Sequence, residues 1–104
     1  MTKTEMDDLC NVLDTLLTDD KVTDDAPLQR LAKQFGITPG CLVGEHLPAT
    51  RENNLRWFVG QYLGCQQVAV RAPSSMIPVL GMMRLLQFWE YRKEAFYAED
   101  SPPN

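Results

Sequence analysis

Residues 76–89, MIPVLGMMRLLQFW, form the longest apolar stretch of the chain, and Arg84 and Gln87 are its only strongly polar members. Fourteen residues are too few to span a bilayer, which takes about 20 apolar residues in a helix. Protein, not lipid, therefore has to bury this segment. Read at helical spacing over residues 75–97, Val79, Met82, Leu86, Trp89 and Phe96 mark one face, while Leu80, Met83 and Phe88 crowd the adjacent ones. A helix apolar around most of its girth should be buried on several sides. The segment is thus either the central helix of a core or half of an oligomer seam.

The rest of the chain repeats the helical pattern. From Thr4 to Leu17, apolar residues fall at Met6, Leu9, Leu13 and Leu16, with Thr2 and Glu5 spaced as a capping box. From Ala26 to Phe35, Leu28, Leu31, Ala32 and Phe35 make a regular stripe. Asp25 is placed to cap that helix, and Gly36 to end it in a left-handed conformation. A third helix is expected from Thr38-Pro39 to just before Pro48. A fourth is expected from the cap Thr50, with Leu55, Phe58, Val59, Tyr62 and Leu63 on one side and Gly64 as its stop. Gly60 inside it costs about 1 kcal/mol relative to alanine, which a close crossing would explain. QQVAVRAP has no partner strand and reads as a connector. Residues 1–98 are expected to form a single all-helical domain, and 99–104 a disordered tail.

The 104 residues suffice for one domain with a real core, and 44% apolar with 23% charged is an ordinary globular balance. Cys10, Cys41 and Cys65 are odd in number and widely spaced, which fits reduced thiols in a cytoplasmic setting. The opening MTKTEMDDL is acidic where a secretion signal would be basic and then apolar. The net charge of −4 is unevenly distributed. Two lysines meet eight acids in residues 1–25, whereas five basic residues meet Glu45 and Glu52 in residues 26–75.

Residues 28–45 resemble the helix-turn-helix of bacterial and phage regulators. Ala32 stands where that motif needs a small residue, Gly36 where its turn needs a positive φ, and Ile37 and Leu42 where it needs apolar contacts. The resemblance implies a DNA-binding transcriptional regulator, with Arg30, Lys33, Arg51 and Arg56 on phosphates and residues 39–46 near the groove. Base readout, however, draws chiefly on Arg, Lys, Asn and Gln. PGCLVGEH offers only Glu45 and His46, and Glu45 stands where the motif usually has an apolar residue. The geometry can also serve packing alone.

Other chemistry finds little footing. TDDKVTDDAP has Lys21 where a calcium loop needs a ligand and lacks its glycine. Three isolated cysteines with His46 do not make the close pairs of structural zinc. His46 has no partner that spacing alone could position for catalysis. No cofactor, metal site or catalytic residue is expected. The sequence reads as an all-α, compact bundle of about five helices with a helix-turn-helix-like corner. The function read from it is a small non-enzymatic regulatory or adaptor protein that binds and modulates a partner protein. Met76, Met82, Met83, Phe88 and Trp89 are its candidate interface, a homodimer through residues 76–97 is one form, and no membrane association is expected. The competing reading is the DNA-binding regulator.

Overall fold

Helical periodicity carries through to the structure, a computed structural model that describes residues 1–40 and 50–98. Those residues form a compact, all-helical unit of four helices and no strand. They are α1 (Lys3–Thr18), α2 (Ala26–Gln34), α3 (Arg51–Arg71) and α4 (Met76–Tyr97). No helix among the described residues is long and apolar enough to cross a membrane.

Local chemistry explains most boundaries. Thr2 and Glu5 make the expected capping box at the start of α1. Thr50 accepts from the Asn53 amide and Ser75 from the Ile77 amide, so α3 and α4 begin at their hydroxyl caps. Gly36 ends α2 at φ +69°, a conformation that strains a side chain. Asp25 departs from expectation. It occupies the cap position of α2 without capping it, and its carboxylate accepts from the Gln29 amide nitrogen instead.

Two expected boundaries are corrected. Gly64 does not stop the helix it lies in, and the supposed connector is helical as far as Arg71. The stop falls at Ala72, which precedes Pro73 and is pushed out of helical geometry, at φ −137° and ψ 65°. The expected third helix does not begin at Pro39 either. Pro39 and Gly40 form a turn, with Gly40 left-handed at φ +73°, and residues 41–49 lie outside those described. The second helix of the helix-turn-helix resemblance therefore falls on residues that are not described, as does the expected tail at 99–104.

The core is one cluster. Leu9, Cys10, Leu13 and Leu17 of α1 meet Leu28 and Ala32 of α2, with Leu55, Phe58, Val59, Tyr62 and Leu63 of α3 and Leu85, Trp89 and Phe96 of α4. Gly64 lets the chain pass close over α3. The Gly40 amide donates to the Gly60 carbonyl at 2.8 Å, and a Cβ on Gly64 would sit 3.3 Å from the Gly40 nitrogen. The close approach is made at Gly64 by the backbone of a turn, which bonds to the Gly60 carbonyl. Of the two readings of this segment, the central helix of a core does not hold. Among the described residues α4 rests on α3 and α1, and Met76, Leu80 and Met83 on its other side are exposed.

Candidate functional site

The buried face of α4 is Pro78, Leu85, Trp89 and Phe96, so Trp89 and Phe96 belong to the face expected from sequence while Pro78 and Leu85 take the places of Val79 and Leu86. Half-turns away, Met76, Leu80, Met83 and Gln87 follow 4-3-4 spacing along the opposite side. Met76 is 66% exposed and Ile77 72%, and Val79, Leu80 and Met83 are each about half exposed. Beside this stripe runs an apolar groove of about 390 Å³, floored by Leu16 and Leu17 of α1, Ala69 of α3, and Pro78, Met82 and Leu86 of α4.

On its other flank, α4 meets α3 through aromatic rings. Phe88 lies 5.7 Å from Trp57 edge-on and stacks on Phe58 at 5.9 Å. Phe58 contacts Trp89, which stacks on Phe96 at 5.1 Å. Trp57 and Phe88 thus reach the surface from an aromatic chain anchored in the core. Shallow depressions of about 250 and 380 Å³ flank them, edged by Arg92 and Arg84, and no carboxylate lines either one.

These positions sort the candidate interface residues. Met76, Met83 and Phe88 are exposed, and Met82 is half-buried on the groove. Trp89 is a correction. It is fully buried, with its indole Nε1 donating to Asp14 Oδ1 at 2.9 Å, so it holds the fold and meets no partner. Ile77, Val79 and Leu80 join the surface instead. Leu80 lies opposite the Leu85–Phe96 row and Ile77 and Val79 lie to either side of it, a placement legible once the buried face is known.

The four candidate phosphate contacts divide as well. Arg30 and Lys33 are exposed on α2. Arg51 is only 3% exposed and is held by Asp7 and by the main-chain carbonyl of Phe96, so as a phosphate contact it is corrected. Arg56 donates from Nη1 to the Phe35 carbonyl at 2.6 Å. Arg51 and Arg56 of α3 therefore cap the carbonyl ends of other helices, Arg51 for α4 and Arg56 for α2. The last four carbonyls of a helix lack partners, and the negative end of its dipole favours a cation.

Cys10 lies within the Arg51 cluster, its thiol donating to the Phe96 carbonyl at 3.3 Å. Burial pushes the Cys10 thiol up from its ordinary range, against the opposing pull of the Arg51 guanidinium. Burial likewise raises Cys65. Among the described residues no three His, Cys, Asp or Glu gather as metal ligands. His46 and Cys41 lie outside the described residues.

In comparisons with known proteins, the chain matches no family model, no curated protein and no solved structure.

Proposed function

We propose that this protein is a small non-enzymatic regulatory or adaptor protein, which binds and modulates a partner protein through the outer side of α4 and the Trp57–Phe88 edge. One observation carries this reading. Within eight consecutive residues, Met76, Ile77, Val79, Leu80 and Met83 each leave about half or more of their surface in solvent. Contiguous apolar patches beyond a few hundred Å² are uncommon on monomers and mark interaction sites. Methionine adapts to irregular partners, and partly exposed aromatics supply anchors. Control of the partner is then steric or allosteric.

The alternative, a helix-turn-helix DNA-binding regulator, keeps Arg30 and Lys33 as exposed cations on α2. Two phosphate contacts give weak, sequence-independent attraction. The occupation of Arg51 and Arg56 by helix ends favours the protein-binding reading.

Affinity capture with the full chain from native lysate, with and without nuclease, tests the choice. A partner retained after nuclease treatment and lost on Met83→Glu is the expected result. Loss of all partners on nuclease treatment would overturn the reading. So would duplex binding that falls steeply with salt and vanishes in Arg30→Ala/Lys33→Ala.

A further inference from the structure

We propose that the occupant of the outer stripe of α4 is a second copy of this chain, the two α4 helices lying antiparallel with Leu80 of each against Met83 of the other. The inference rests on the reading of that side of α4 as a docking surface, and it names the partner.

The stripe has the form of half a helix pair. Met76, Leu80, Met83 and Gln87 alternate spacings of four and three, the a/d pattern by which two helices interlock along a seam. A two-fold axis requires a surface complementary to itself, and an apolar stripe of flexible and branched side chains meets that requirement. Size fits too. Half or more of five large side chains exposes on the order of several hundred Å², and counting both copies approaches the lower bound of about 1,200 Å² for a stable interface.

Charge along α4 selects the direction. The part of the helix from Met76 to Met83 is free of charge, and the longer part beyond it carries Arg84, Glu90, Arg92, Lys93 and Glu94. A residue count gives Glu94 the same angular position on α4 as Met76, so Glu94 continues the stripe. Parallel pairing would set Glu94 against its own copy, like charge on like. Antiparallel pairing centred between residues 80 and 83 overlaps the uncharged segments and matches Met76 with Gln87. It carries Glu90 and Glu94 past the first turn of the partner's α4, toward the positive end of its dipole and toward the exposed Arg71 that closes α3. The Trp57–Phe88 edge lies on the flank of the seam, so the dimer displays two such edges to a target.

A charge-swap experiment on the full chain tests both the occupant and the direction. Sedimentation equilibrium of the wild type should give twice the 11.8 kDa chain mass. Leu80→Glu and Met83→Lys should each halve that mass while retaining full helical circular dichroism. An equimolar mixture of the two variants should restore it, because Glu at 80 then faces Lys at 83. A wild type at single-chain mass up to high micromolar concentration would overturn the proposal. A double mass that survives both charges would also overturn it, as would a mixture that stays monomeric. The docking reading is scored separately. Single-chain mass with target capture still abolished by Met83→Glu removes the second copy and keeps the face. A double mass and a target capture both indifferent to these charges remove both.

Discussion

Arg51 donates through Nε to the carbonyl of Phe96, so the first residue of α3 closes the last turn of α4 across 45 positions of sequence. The same guanidinium reaches Asp7 of α1 through Nη2 and approaches the Cys10 sulfur at 3.7 Å. No basic residue occupies the last turn of α4, and Arg51 supplies that charge from outside. Three helices therefore meet at one side chain.

Removing that side chain should be costly. Arg51→Ala leaves the Phe96 carbonyl without this donor, leaves Asp7 without its cation, and opens a space in the core. We expect a loss of about 3 kcal/mol, the range for breaking a buried charged contact. Arg51→Met, which keeps the bulk, should lose less. Urea unfolding monitored by circular dichroism measures both, and equal stability of Arg51→Ala and wild type would refute the assigned role.

The two tryptophans should report opposite environments. Trp89 is fully buried and bonded to Asp14, whereas Trp57 is half-buried beside an open depression. Trp57→Phe, which retains only Trp89, should resist acrylamide quenching, and Trp89→Phe should be quenched more readily. Trp89→Phe should also cost about 1–2 kcal/mol for the lost hydrogen bond. Equal quenching of the two variants would contradict the placement.

What the sequence revealed follows from the range of the forces involved. Caps and apolar spacing act within one turn, which is why Thr2, Thr50, Ser75 and Gly36 could be read as boundaries. The partners of Arg51 and Trp89 lie 44 and 75 positions away, and nothing local distinguishes Arg51 from the exposed Arg30. Gly64 misled for a related reason. An interior glycine costs only about 1 kcal/mol, so a helix can continue through it, and the turn it accommodates lies far off in sequence. At the candidate docking face, Met76, Met83 and Phe88 were legible because apolar excess on α4 exceeded what one core can cover. Leu80 was read as apolar but not as exposed, since which side faces outward depends on how α4 lies on α1 and α3.

Gly64 should tolerate little more than a methyl group. Alanine there brings Cβ to 3.3 Å from the Gly40 nitrogen, a tight contact offset by better helix propensity, so Gly64→Ala should be near neutral. Gly64→Leu must displace the turn and its 2.8 Å bond to Gly60, at about 1–3 kcal/mol. Thermal unfolding of the pair checks this, and a leucine variant as stable as the alanine variant would mean that the turn does not bear on α3.

Alkaline pH should unfold this protein through groups that the fold keeps neutral. Burial raises the Cys10 thiol and the Tyr62 phenol above their ordinary ranges, with Arg51 opposing at Cys10 and Gln66 opposing at Tyr62. Each is an acid whose neutral form the fold favours. Between its unfolded and folded titrations the native state holds the extra proton, so stability falls as pH rises. The contribution is fully present below the unfolded value, about pH 8.5 for a thiol and about 10 for a phenol, and is lost above it. Urea midpoints should therefore decline from about pH 8.5 upward, and Cys10→Ala should make that decline shallower in the thiol range, where Cys65 is then the remaining raised thiol among the described residues. In a Cys41→Ser background at neutral pH, Cys65, partly exposed beside a surface depression, should react with a thiol reagent well before the fully buried Cys10. Cys10 reacting as fast as Cys65 in the native state would show that the Arg51 cluster opens without global unfolding.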